Sequence, residues 1–162
     1  ARRARPRLHC SSWSAQRCAR YRRSRQIWAA GIASRCIVIA TSRTRVRFAF
    51  PISGATGAEH TAVVYFEVAP GERLGTHTDS AEEILYIVAG EGEAEIGDER
   101  GRVCAGDLAV IPAMVPHGVV NTGDEPLRVV GFFCEREITS TFEAPLQPVG
   151  VATVTTGVPV LA

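Results

Sequence analysis

From Val46 onward, apolar and polar residues alternate in short runs closed by glycine or proline, and no stretch repeats its apolar residues at helical spacing. RVRFAFPIS predicts a first strand broken by Pro51, and SGATGAEH a loop. TAVVYFEVAPG predicts a strand ended by Pro70 and Gly71. Ala62, Val64, Phe66 and Val68 fall on one of its faces, and Val63, Tyr65 and Glu67 on the other. Both faces are mostly apolar, which predicts a strand held between two layers. The run Ile84 to Ala89 is apolar throughout and predicts a buried strand. In GEGEAEIGDERGRVCAGD, Ala94 and Ile96 oppose Glu93 and Glu95, the alternation of a half-exposed hairpin that turns between Gly97 and Gly101. DLAVIP, HGVVN and LRVVGFFCE follow, separated by turns such as NTGDEP. Many short strands with glycine-rich turns and no helical pattern define an all-β sandwich or barrel. The segment from Ser140 carries three prolines and little charge; its start is expected to pack across the barrel and its end to fray.

Charge divides the chain. Residues 1–47 hold 13 arginines and no acid, whereas residues 48–162 hold five arginines and all 17 acids, so a formal charge of +1 conceals +13 against −12. Residues 1–45 show no sustained periodicity. Their Arg- and Ser-rich, acid-free composition fits an organelle transit peptide. Arg22 and Arg23 before IWAAGIASRCIVIA suggest a twin-arginine signal, but Arg35 interrupts the apolar stretch, which is also too short and too charged to span a bilayer. Arginines among Trp13, Tyr21 and Trp28 suit nucleic acid, yet no reader motif accompanies them, so nucleic acid is not an expected partner. High like charge with little to bury favours a disordered basic arm, or upstream sequence not native to the domain and translated from a misplaced start. The expected division is an arm over 1–45, one barrel domain over 46–142 and a tail over 143–162. The five cysteines match no zinc spacing, and their odd count favours a reducing, cytoplasmic location without membrane attachment. Cys104 and Cys134 are expected as buried thiols.

Candidate chemistry concentrates in GERLGTHTDSAEEILYIVAG, residues 71–90. His77, Asp79, Glu82 and Glu83 lie within seven residues, directly before the apolar run. Side chains two and six residues apart share a face if the backbone stays extended or turns once. His117 stands forty residues on, behind Pro112 and Pro116. Convergent imidazoles and carboxylates are the makings of a metal site. Glu82 is expected to face away from Glu83, His60 to be exposed and Asn121 to be structural.

The order Gly71, His77, Asp79, Glu83, Gly90 resembles the first motif of the cupin superfamily, with Asp79 where that motif has a second histidine. Gly106, Pro112, His117, Asn121 resembles the second motif, with Met114 in place of its usual glycine. The fifteen residues between Gly90 and Gly106 fit a small single-domain cupin. The resemblance implies a double-stranded β-helix, or jelly-roll barrel. It also implies one divalent metal (Fe, Mn, Ni or Zn) on His77, Glu83 and His117, with Asp79 either a fourth ligand or a hydrogen-bond partner beside the metal. An oxygen-rich set favours Fe(II) or Mn(II). If Glu83 faces inward, so do Leu85 and Ile87, and Val119 from the His117 strand, giving apolar pocket walls. The implied protein is a metal-dependent enzyme on a small neutral organic molecule. It is either oxygenase-like or an isomerase or lyase, with Asp79 or Glu83 as the catalytic base. The alternative is a non-enzymatic small-molecule-binding or sensory cupin. A homodimer is expected, with Val46 to Ile52 as an exchangeable edge strand.

Overall fold

The computed structural model describes residues 46–146 and 150–156, and within them nearly every residue that is not in a turn belongs to a strand. The expectations for residues 1–45 and for the end of the tail lie outside the described residues. Eleven strands follow in order: β1 (Val46–Ile52), β2 (Ala62–Val68), β3 (Arg73–Asp79), β4 (Glu83–Ala89), β5 (Glu91–Ile96), β6 (Glu99–Cys104), β7 (Leu108–Ile111), β8 (His117–Asn121), β9 (Leu127–Phe133), β10 (Thr139–Leu146) and β11 (Val151–Thr155). They form two antiparallel sheets, one ordered β1-β2-β9-β4-β7 and the other β11-β10-β3-β8-β5-β6. This is the jelly-roll, double-stranded β-helix architecture that the strand pattern and the motif resemblance anticipate.

The core lies between the sheets. Val64, Phe66, Val68, Ile87, Val129 and Phe133 point inward from the five-stranded sheet, and Leu74, Val119, Phe142 and Val154 from the six-stranded one. The sheet extends past residue 142, because β10 runs to Leu146 and β11 pairs with it. β1 is an edge strand paired with β2, and its register shifts between Ala49 and Ile52, around Pro51.

Two burial expectations need correction. β4 is not buried on both faces: Leu85 and Ile87 turn to the interior, while Ile84, Tyr86 and Val88 are exposed. Nor does β2 lie between two layers, since Val63 and Tyr65 remain half-buried on the outside of the barrel wall. Apolar residues on both faces describe the strand and not what covers it. Cys104 is half-buried and Cys134 exposed, so neither is the buried thiol expected; they end β6, an edge strand, and follow β9, where the wall no longer covers them.

Asn121 closes the barrel locally. Its Nδ2 donates to the carbonyls of Val68 and Glu125, each at 2.8 Å, and its Oδ1 accepts from Gly123 N at 2.9 Å. The residue is 1% exposed, so water does not replace these partners. Asn121→Ala is expected to cost about 2–4 kcal/mol, since three bonds are lost and buried backbone groups left unpaired. Urea unfolding measures this, and a loss below 0.5 kcal/mol or so would contradict the role.

Candidate metal centre

A one-residue irregularity aims His77. Leu74 and His77 both point inward although three residues apart, because the β3–β8 register slips between them, at Gly75 and Thr76. An extra residue in one strand flips every later side chain to the other face, so without the slip His77 would face solvent. Beyond the slip, period two brings Asp79 to the same face. On β8, His117 is the direct register partner of His77, and the two rings lie 4.2 Å apart. Glu83 comes from the opposite sheet, on β4.

All four side chains are buried, at 3–7% exposure. Each imidazole Nδ1 lies 2.9 Å from a backbone carbonyl, Gly75 for His77 and Val115 for His117. A carbonyl only accepts, so both Nδ1 atoms carry hydrogen and both Nε2 atoms face the interior, free to give a lone pair to a metal when unprotonated. Asp79 Oδ2 stands 3.3 Å from His117 Nε2 and 3.8 Å from His77 Nε2. The donor atoms of His77, Asp79 and His117 all lie within 4.8 Å of one another. Glu83 Oε2 is 3.6 Å from His117 Nε2 but stands outside that group of three. The position that departs from the family motif, Asp79, is therefore more central than Glu83. His117 Nε2 is fully buried and has no hydrogen-bond partner of acceptable direction, despite its two carboxylate neighbours. A buried ring nitrogen without a partner, beside two carboxylates, is the feature a metal cation would satisfy.

The charges agree with that reading. Burial alone would depress His117, but Asp79 and Glu83 outweigh it and push the imidazole up to about 9. Burial and the adjacent His117 push His77 down. Asp79 is held below the usual carboxylate range because His117, His77 and Ser140 outweigh its burial, whereas burial raises Glu83. Without a metal these charges favour a proton on His117 Nε2 between the two carboxylates, and a metal bound there would take that proton's place.

Three contributors escaped the sequence reading. Ser140, the register partner of Asp79 on β10, donates to Asp79 Oδ1 at 2.5 Å and leaves Oδ2 to the histidines. Phe142, the partner of His77, stacks on its ring at 4.6 Å. Gly131 on β9 lies under Glu83: a Cβ there would stand 1.9 Å from Glu83 Oε1 and 2.7 Å from Val64 Cγ1. No local signal marks these residues, since each depends on pairing with a strand far away in sequence. Leu85, Ile87 and Val119 line the cavity beside the cluster, together with Phe48, Phe50 and Phe133. Glu82 and His60 are exposed.

The fold is a jelly-roll barrel whose paired strands bring two imidazoles and a carboxylate to one interior point, a donor set that could hold a metal ion. The sequence model described as "Cupin domain" matches residues 64–133, and this part of the chain is a cupin domain. Over 51 residues the chain is 37% identical to an uncharacterized protein of Methanocaldococcus jannaschii, a match covering 32% of this chain and 41% of that protein. The chain spans less than half the length of the curated relatives it matches. Among solved structures it is similar to oxalate decarboxylase of Lactobacillus farciminis (TM-score 0.58, 23% identity, 62% of this chain and 31% of that one). It is also similar to oxalate decarboxylase of Bacillus subtilis, described with Mn(II) centres (TM-score 0.53, 23% identity, 61% of this chain and 28% of that one). At such identities the likeness establishes the fold. Among the described residues no helix is long and apolar enough to cross a membrane.

Proposed function

We propose that this cupin binds one divalent metal through His77, Asp79 and His117, with Glu83 beside it, and acts on a small neutral organic molecule. The observation that carries the proposal is the buried, unpartnered Nε2 of His117, facing the lone pair of His77 and the free oxygen of Asp79. Two imidazoles with oxygen donors suit Fe(II) or Mn(II) better than softer or square-planar ions, and the Mn(II) of a structurally similar barrel is in keeping. A bound metal would supply Lewis acidity and open positions for a substrate oxygen or dioxygen. The chain's own contribution is orientation by β10, exclusion of water by the apolar walls, and a carboxylate, Glu83, raised by burial and able to hold or pass a proton.

The cavity argues against an anionic substrate. No arginine lines it and the chain has no lysine, while Asp79 and Glu83 occupy its polar end. Apart from the metal and the histidines that hold it, a dianion such as oxalate would meet acidic side chains and no arginine or lysine, whereas a neutral molecule with an apolar body fits the phenylalanine and aliphatic walls. Oxygenase-like chemistry leads, followed by isomerase or lyase chemistry with Asp79 or Glu83 as base. The competing reading is a ligand-binding cupin without turnover, favoured if ligand binds reversibly with neither product nor dioxygen uptake.

Asp79 decides the donor set. Under anaerobic loading, Asp79→His is expected to shift preference at least tenfold toward Ni(II), Cu(II) or Zn(II), because it exchanges a hard anionic oxygen for a neutral imidazole. Asp79→Asn should lose Fe(II) and Mn(II) affinity by a similar factor. Unchanged affinity and selectivity in both variants would remove Asp79 from the metal and leave His77, Glu83 and His117.

A further inference from the structure

The two sheets have free edges on both sides of the barrel. β6 ends one sheet and β7 the other, and the short turn over residues 105–107 puts these two edges on the same side, with β1 and β11 on the opposite side. Cys104 N–H donates to Asp107 Oδ2 at 2.7 Å and Asp107 N–H to the Cys104 carbonyl at 3.0 Å, which pins β6 to β7 at the turn, but no ladder joins them beyond it. The inward side chains along the two seams differ in size. On the β1 side they are Phe48, Phe50, Leu146 and Val151, all packed against the core. On the β6 side they are Ala94, Gly101 and Ala109. Gly101 is the register partner of Ala94, Ala94 of the inward Val119, and Ala109 of the inward Leu85. Directly paired residues share a face, so all three point to the interior. They also stand at one level: Glu83 and His117 come within 3.6 Å across the sheets, and two residues on from each, Leu85 and Val119 carry Ala109 and Ala94 beside them.

We propose that these three small residues form a slot that seats the part of the substrate farthest from the metal, restricting the cavity to slim neutral molecules, either flat rings or unbranched chains. The proposal rests on the reading of the cavity as a site for a small neutral molecule. Packed sheets stand about 10 Å apart, a space that opposed side chains normally fill. Where a methyl and a hydrogen face a methyl, a gap remains, and a Cβ at Gly101 would meet no atom within 4 Å beyond its chain neighbours. Ala94 and Ala109 line the same cavity as the metal cluster and are only half-buried, and Gly101 is exposed, so the slot reaches solvent. The next inward residues toward the cluster are Ile96, partner of His117, and Ile111, partner of Glu83, which keeps the walls apolar up to the metal. At the mouth Glu95 and Asp107 line the cavity, whereas Arg100 is paired with Glu93 and Glu95, so an anion finds no free cation there.

The test is a titration of the full-length protein, in the presence of Zn(II), with two neutral probes: benzyl alcohol, which is flat, and adamantanemethanol, which is bulky. Methyl NMR shifts of Leu85 and Val119 report binding in the cavity. Benzyl alcohol is expected to move both methyls and to bind at least tenfold more tightly than adamantanemethanol. Gly101→Phe should lower its affinity at least tenfold with metal content and far-UV circular dichroism unchanged, because the ring fills the slot without touching the cluster. Arg102→Phe, on the outer face of the same strand, should leave it unchanged. Should Gly101→Phe fail to fold, Gly101→Val is expected to give a loss in the same direction. Equal affinity for the two probes, or benzyl alcohol binding that the folded Gly101 variant leaves intact, overturns the slot alone. A wild type whose Leu85 and Val119 methyls respond to neither probe overturns the small-molecule reading of the cavity, and the slot with it.

Discussion

His117→Ala is expected to abolish stoichiometric divalent-metal binding, lowering affinity at least a hundredfold, with His77→Ala close behind. Both substitutions remove a lone pair that the backbone has already oriented: Gly75 and Val115 hold the Nδ1 hydrogens, so each Nε2 faces the site without further ordering. A water molecule in the vacated place is a weaker donor and brings no preorganisation. The effect should be larger at His117, because its Nε2 is the atom that both Asp79 and Glu83 approach. Removing it also leaves two buried carboxylates without their cation, so the metal-free variant should be less stable by about 3–5 kcal/mol. Isothermal titration with Mn(II), alongside thermal melting, reads both effects. Full occupancy in both variants would make the cluster an ion-pair network and not a metal site.

Gly131→Ala is the second large expectation, and it acts through a residue it does not resemble. The added methyl would occupy the space of the Glu83 carboxylate and press on Val64, so Glu83 must swing away or β9 must shift. Overpacking of this kind costs about 1–3 kcal/mol. Displacing a carboxylate beside the metal should lower metal affinity about 10- to 100-fold. The diagnostic is non-additivity: once Glu83→Ala has removed the carboxylate, Gly131→Ala should cost much less, because only the Val64 contact remains. Additive losses across this double-mutant cycle would mean that Gly131 serves the sheet alone.

How much of this was legible in the sequence follows from how far each feature reaches along the chain. His77, Asp79 and Glu83 could be read together because they adjoin one strand and the turn after it, and His117 because its motif is compact. The slip at Gly75 and Thr76, which sets which face His77 takes, left only a glycine as its mark. Ser140 and Phe142 could not be seen, since 61 residues separate Ser140 from Asp79 and only the β10–β3 register joins them. The rank of the two carboxylates was also hidden: spacing placed both near the histidines, but which oxygen lies between the rings depends on how the sheets close. The apolar faces of β2 and β4 were read correctly as apolar and wrongly as covered, because composition reports what a surface prefers and not what lies against it.

The account rests on a metal at the convergence of His77, Asp79 and His117. Native mass spectrometry of the full-length, untagged protein, loaded anaerobically with Mn(II) or Fe(II) and desalted, tests it most directly. The predicted result is one ion per chain in the wild type and none in the His77→Ala/His117→Ala double variant. A wild type that retains no ion, or a double variant that retains as much as the wild type, would contradict it.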